Sequence, residues 1–283
     1  MNKIKFTKMH GLGNDFIIVD CINDEFIVPD LRAFTKEVCN RNFGVGADGL
    51  ILIESSKSAD YKMRIINSDG SEAEMCGNGV RCFAKYIYDT RENKKEIISV
   101  ETLRGIVLPA VILLEGKVVA IEVDMGEPIL ERAKIPMTGK NSERVIDEEI
   151  KFEHHYFVGT AVSMGNPHFV IFVNNLDEVN VPYIGPKIEH LPIFPKRTNV
   201  EFVKIESSKE ATIELWERGS GRTLACGTGA CAVLIAGVLT GRLKRKCVVN
   251  LPGGSLSIEW SIEDNHVFLT GPAETVFEGV YYA

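Results

Sequence analysis

A short stretch that occurs twice sets the strongest limit on how this chain can fold. Met75-Cys76-Gly77-Asn78-Gly79-Val80-Arg81-Cys82-Phe83-Ala84 returns as Ala225-Cys226-Gly227-Thr228-Gly229-Ala230-Cys231-Ala232, with the leading cysteines 150 positions apart. Each copy puts a cysteine before a Gly-x-Gly turn and then enters an apolar run; in the first, Val80, Phe83, Ala84 and Ile87 recur at helical spacing. The surroundings repeat as well. Gly13-Asn14 followed by Phe16-Ile17-Ile18-Val19 is answered by Gly165-Asn166 followed by Phe169-Val170-Ile171-Phe172. Asn67 stands nine residues before Cys76, and Glu217 nine before Cys226. Strands predicted at 97–101, 106–113 and 118–124 after the first helix have counterparts at 249–251, 254–260 and 267–270 after the second. Met125-Gly126-Glu127-Pro128 is matched by Thr270-Gly271-Pro272. A repeat of about 120 residues is too long for a solenoid unit. The expectation is an internal duplication of α/β (α+β) class: two pseudo-symmetric domains of mainly antiparallel strands, each wrapped around a central helix. Expected boundaries are 1–126, completed by a strand in 273–283, and 127–272. Equivalent helix starts would let a pseudo-two-fold bring the two cysteine turns face to face across a cleft.

The first half adds detail. Strands are predicted at 4–8, 16–21 and 62–67, and Asp30 suits the cap of a helix from Leu31 to about Asn40. Gly44-Val45-Gly46-Ala47-Asp48-Gly49 matches G-x-G-x-x-G, but a helix precedes it and a strand follows, the reverse of a dinucleotide site. It is rejected as a cofactor motif.

Composition narrows the class. The chain has 283 residues, 45% hydrophobic and 25% charged, as an ordinary globular protein does. A formal charge of −7 with no basic stripe argues against nucleic acid or an anionic membrane as partner; Arg242 to Lys246 reads as a solvated helix end. The apolar run 230–239 is half of the roughly 20 residues that cross a bilayer, so it predicts a buried core helix. Residues 1–16 lack the apolar core of a signal peptide, and seven cysteines, an odd number, point to free thiols in a reducing cytoplasm.

Free cysteines are usually small buried hydrophobes, and Cys21, Cys39, Cys247, Cys82 and Cys231 are read that way. Cys76 and Cys226 differ by sitting at helix mouths, where the dipole and open N–H groups favour a thiolate. The Cys-x5-Cys and Cys-x4-Cys spacings without adjacent histidine do not fit structural zinc. Two opposed thiols suit inversion of a carbon acid, which needs a base on one face and an acid on the other. The N–H groups of Gly77-Asn78 and Gly227-Thr228 suit the carboxylate of an amino acid.

Five motifs then coincide: H-G-L-G-N-D-F (10–16), C-G-N-G-x-R-C (76–82), S-M-G-N-P-H (163–168), E-R-G-x-G (217–221) and A-C-G-T-G-A-C (225–231). In this order they resemble diaminopimelate epimerase over essentially the whole chain. The resemblance implies a cofactor-independent, two-base interconversion of LL- and meso-diaminopimelate in lysine and peptidoglycan synthesis. It implies Cys76 and Cys226 as the catalytic pair, with Cys226 the base toward the LL isomer, and His168 and Glu217 tuning one thiol each. Asn14 and Glu217 would hold the reacting amino group. Gly77, Asn78, Gly227 and Thr228 would cradle its carboxylate. Asn67, Asn166, Asn199 and Arg218 would grip the distal amino-acid end. A cytoplasmic homodimeric enzyme is expected, with no metal, no nucleic acid and no membrane as partner.

One position departs from the pattern: Gly49 stands where some members carry a glutamine that helps to hold the amino group. Two rivals follow from the residues. A proline or hydroxyproline racemase has similar chemistry but would leave Arg218, Asn166 and Asn199 unpaired. A redox protein would use Cys76 and Cys226 as a switchable disulfide and leave the carboxylate-binding groups unexplained.

Overall fold

The computed structural model describes residues 3–22, 26–139, 144–153 and 155–283. The chain divides into two compact units, Met1–Asp124 with Thr270–Ala283, and Met125–Leu269. In chain order the first part carries β1 (Lys3–Gly11), β2 (Asn14–Asp20), α1 (Leu31–Val38), β3 (Gly49–Glu54), β4 (Tyr61–Asn67), β5 (Glu72–Ala73) and α2 (Gly77–Thr90). β6 (Val100–Thr102), β7 (Gly105–Val107), β8 (Ala110–Leu114) and β9 (Lys117–Asp124) follow. The second part holds β10 (Glu148–Phe152), β11 (His155–Ser163), β12 (Pro167–Phe172), α3 (Val181–Glu189), β13 (Asn199–Ser207), β14 (Glu210–Trp216) and α4 (Gly227–Leu239). β15 (Lys246–Leu251), β16 (Gly254–Trp260), β17 (Val267–Gly271) and β18 (Glu274–Tyr282) end the chain.

In the first unit the strand order is β18-β1-β2-β3-β4-β6-β7, with β5 beside β4. Most neighbours are antiparallel; β2 with β3 and β4 with β6 are parallel. In the second unit β10 to β17 pair in sequence order, again mainly antiparallel, with parallel joins at β12–β13 and β14–β15. Parallel neighbours require a crossover, which is where α1 and α3 are inserted between paired strands.

Each unit is built on one buried helix. Along α2, Val80, Cys82, Phe83 and Ala84 are fully buried. α4 is apolar on every face, and Ala230 to Ala236 are all at 0% exposure, so it serves as a core element rather than an amphipathic one. No helix among the described residues is long and apolar enough to cross a membrane.

Several local differences from the sequence expectations have plain causes. The predicted strand 106–113 is cut into β7 and β8 because Pro109 has no N–H for a ladder; its carbonyl instead accepts from Ile98 N at 3.2 Å. α1 stops at Val38, though Asp30 caps it as expected, Oδ1 accepting from Arg32 N (2.9 Å) and Ala33 N (3.1 Å). α3 escapes a periodicity reading because it contains Pro182, Gly185 and Pro186. Pro182 sits in the first turn, where its missing N–H costs nothing. Gly185 is demanded by packing: a Cβ there would lie 2.6 Å from the Trp216 side chain. The basic run after α4 is not simply solvated. Arg242 pairs with Asp147 at 2.9 Å, and Arg245 lies 4.1 Å from the centre of the Trp260 ring.

Candidate functional site

In the first unit, the turn between β1 and β2 delivers Asn14 to the mouth of α2. Leu12 (φ 57°) and Gly13 (φ 88°) take the left-handed conformation that makes the turn tight. Cys76 is the extended N-cap of α2 and offers no side-chain cap to its first N–H groups, which leaves them for an anion. Its thiol donates to Asn14 Oδ1 at 3.8 Å, and Asn78 Nδ2 donates to the same oxygen at 3.1 Å. Asn78 is 5% exposed, and its own Oδ1 has no hydrogen-bond partner.

Behind this trio lies a charged frame. Asn14 Nδ2 and the Asp15 N–H both donate to Asp48 Oδ2, at 2.8 and 3.0 Å. Arg41 spans Asp15 and Asp48, and the buried Lys8 pairs with Asp15 at 2.5 Å and donates to Gly46 O. Burial alone would raise the Asp15 carboxyl; Arg41 and Lys8 outweigh it and hold it at about 2. The side chain of Asn14 is therefore aimed from behind with its oxygen toward the cysteine. Asp48 belongs to the glycine-rich segment rejected as a cofactor motif, so its role was hidden inside a discarded pattern. The departure at Gly49 also finds its cause. A Cβ at Gly49 would stand 2.8 Å from Ile66 O, so this backbone has no room for a glutamine. Asn67, exposed, pairs in register with Gly49 and donates to Ser71 Oγ at 3.0 Å.

The second unit repeats the plan with different chemistry. Gly165 (φ 100°) turns the chain so that Asn166 precedes β12. His168 is fully buried, its Nε2 lying 3.1 Å from Asn166 Oδ1 and its Nδ1 2.7 Å from Glu201 Oε1. Asn199 is 2% exposed; its Nδ2 donates to Pro167 O at 2.9 Å and its Oδ1 accepts from Arg218 N at 2.8 Å. The Arg218 guanidinium is exposed and donates to Lys196 O at 3.0 Å. The turn carrying Glu217 and Arg218 is anchored by Glu189 at the end of α3. That carboxylate accepts from Trp216 Nε1 (2.7 Å) and Gly219 N (3.2 Å). Thr223 Oγ1 donates to Glu217 Oε1.

Cys226 is the extended N-cap of α4, 5% exposed, with its sulfur 3.4 Å from Thr228 Oγ1 and within hydrogen-bonding reach of Glu217. Burial pushes the Cys226 thiol well up, and the nearby Glu217 and Glu201 carboxylates add to it. Burial likewise raises the Glu217 carboxyl. These surroundings favour the thiol over the thiolate. A cation placed against Glu217 would ease ionisation and turn it into a base.

The thiolate is the form that alkylates, which gives the pH sign. At pH 7.5 in reduced, ligand-free protein, iodoacetamide should label the half-buried Cys76 before Cys226. The Cys226 rate should climb as pH rises from 7 to 9, because a raised thiol gains thiolate only on the alkaline side. Peptide mass spectrometry reads both sites; Cys226 labelling first, at a rate flat with pH, would contradict this electrostatic picture.

Of the residues singled out from sequence, Asn14, Cys76, Gly77 and Asn78 share one cluster, and Asn166, His168, Glu217, Cys226, Gly227 and Thr228 another. Reasoning from sequence missed Asp48, Glu189 and Glu201. Glu201 is 0% exposed, in the stretch of β13 from Asn199 to Val203 that is buried throughout.

Comparison with known proteins follows the same lines. A family described as Diaminopimelate epimerase matches residues 6–131 and 160–276. Among named relatives, the diaminopimelate epimerase of Moorella thermoacetica is 53% identical over 274 residues, covering 97% of this chain and 98% of that protein. The enzymes of the same name from Methanococcus maripaludis (52%) and Acetivibrio thermocellus (51%) match over 98% of this chain and 99% and 98% of theirs. Solved structures share the fold at low identity. A PhzF-family protein of Bacillus anthracis has a TM-score of 0.70 at 17% identity, over 100% of both chains. A hydroxyproline epimerase of Agrobacterium vitis has 0.69 at 14%, over 98% of this chain and 92% of that one.

Proposed function

This chain belongs to the diaminopimelate epimerase family, and we propose that it interconverts LL- and meso-diaminopimelate by moving protons through Cys76 and Cys226. One thiolate takes the α-proton from one face of the carbon, and the other residue, as a thiol, returns a proton to the opposite face. The residues then hold exchanged protonation states, ready for the reverse reaction. The observation that carries the reading is a matched pair of helix mouths. Each is N-capped by a cysteine in extended conformation with no side-chain cap, and each is backed by a different polar frame.

The amino group of the reacting centre would sit against Asn14 and Glu217. Asn14 Oδ1 already accepts from a thiol and an amide, so it is an acceptor aimed by Asp48. Glu217 is the group whose neutralisation by an ammonium would release the Cys226 proton. This ties base activation to substrate binding and supports Cys226 as the base toward the LL isomer. The carboxylate would take the open N–H groups at Gly77, Asn78, Gly227 and Thr228. Asn67, Asn166, Asn199 and Arg218 are assigned to the distal end; the free donors of the Arg218 fork are the natural partner of a second carboxylate. His168 and Glu217 are assigned to tuning the thiols.

A cytoplasmic setting is supported by all seven cysteines being thiols rather than disulfides. A homodimer is supported by β18, a sheet-edge strand with Val276, Phe277, Val280 and Tyr282 exposed.

The deciding experiment is proton exchange in D2O. Reduced protein without added pyridoxal phosphate should wash deuterium into one α-carbon of LL- and meso-diaminopimelate, seen by NMR and mass spectrometry. No exchange with either isomer, but exchange with proline or hydroxyproline, would hand the assignment to a racemase of cyclic amino acids.

A further inference from the structure

The parallel joins β2–β3 and β12–β13 use one backbone register, so residues along one have partners along the other. In the first, Phe16 pairs with Gly49 across the parallel β2–β3 join, and Ile18 with Ile51. In the second, His168 pairs with Asn199 across β12–β13, and Val170 with Glu201. Phe16 and Ile51 therefore occupy the places of His168 and Glu201. The helices confirm the match. A Cβ on Gly79 of α2 would meet Ile51 Cδ1 at 3.3 Å, and a Cβ on Gly229 of α4 would meet Glu201 Oε1 at 2.9 Å.

The first unit fills this position with an apolar pair, Phe16 at 3% and Ile51 at 0% exposure. The second fills it with an ionisable pair, both members at 0%. The fold therefore does not need a carboxylate here, and a buried one is costly to keep. Glu201 Oε1 is spent on His168 Nδ1, while Oε2 has no hydrogen-bond partner. A group kept at that cost, where its own repeat does without it, is retained for something other than packing.

We propose that Glu201 is a positioning residue for the reaction: it holds the His168 ring with Nδ1 on its own carboxyl group and Nε2 on Asn166 Oδ1, an oxygen that can only accept, so that Nε2 is the donor there. Each ring nitrogen then faces its own oxygen, and one ring orientation follows. Gly229 is part of the device, because any side chain there would strike Glu201 Oε1 and the Cys226 sulfur, 3.3 Å from the same point. The inference rests on the two-thiol reading for its kinetic consequence, but not for the state of the ring.

The test is Glu201→Gln, which keeps the shape and allows a hydrogen bond in either direction. Imidazole nitrogen shifts of 15N-labelled protein report the tautomer, with His168 picked out of six histidines by its loss in His168→Gln. Wild type should show one set of His168 shifts with a proton on Nε2, and Glu201→Gln a displaced Nδ1 signal. Its kcat for epimerisation should fall about 10- to 100-fold with KM changed less than about twofold, the usual cost of losing an orienting partner. Unchanged His168 shifts would overturn the proposal, as would wild-type kcat in Glu201→Gln. If wild-type protein fails to act on diaminopimelate, the substrate assignment falls, and the nitrogen shifts still decide whether Glu201 governs the ring.

Discussion

Cys76→Ala and Cys226→Ala should each lower the rate of epimerisation by about 10²–10⁴-fold, the range expected when a positioned acid or base is removed. Rate alone would not separate a lost proton carrier from a damaged site; the fate of the isotope does. In D2O, a protein with one remaining thiol can still take the α-proton from the face that thiol addresses and return a deuteron to the same face. Each variant should therefore wash deuterium slowly into one stereoisomer with retention, and the two variants should prefer opposite isomers. With Cys226 as base toward LL-diaminopimelate, Cys76→Ala should exchange the LL form and Cys226→Ala the meso form. Turnover at the wild-type rate by either variant would sink the two-base mechanism. Exchange of the same isomer by both would refute the division of labour. Neither cysteine is in a position where alanine should harm the fold greatly, since each stands at a helix N-cap without a side-chain cap bond to lose.

The features legible from sequence were those with a strong local period or a repeated word. The central helices showed because Val80, Phe83, Ala84 and Ile87, and the unbroken apolar run 230–239, leave few other structures to adopt. Asp30 announced a helix start because its carboxylate has an evident local partner. The missed features depend on contacts far away in the chain. α3 is a helix against its own prolines, held by Trp216 across Gly185 and by Glu189, none of which a window of sequence connects. Asp48 matters only because the fold places it behind Asn14, 34 positions earlier. Glu201 gives no local sign of its burial, because a strand glutamate usually marks a wet face and the 199–203 stretch of β13 has none. The signal that could have exposed it was the duplication itself: aligned on the repeat, Glu201 falls on Ile51. Departures of one copy from the other mark where the chain sets packing aside for chemistry.

That asymmetry carries a stability prediction as large as the kinetic one. Glu201→Ile, taken alone, leaves the buried His168 Nδ1 facing a hydrocarbon and should cost about 3–5 kcal/mol, as breaking one side of a buried pair does. Adding His168→Phe supplies the second half of the pair that the first unit already uses, Phe16 with Ile51. The double variant should recover to about the wild-type stability or exceed it by about 1–4 kcal/mol, since an apolar replacement of a buried ionisable pair removes the desolvation cost. Urea unfolding under reducing conditions measures all three proteins, and the cycle isolates the coupling between the two sites. A double variant as unstable as Glu201→Ile would mean that the second unit has shaped its core around the polar pair and that the register equivalence does not extend to packing. Recovery of stability without recovery of turnover would separate what His168 and Glu201 do for the reaction from what they do for the fold.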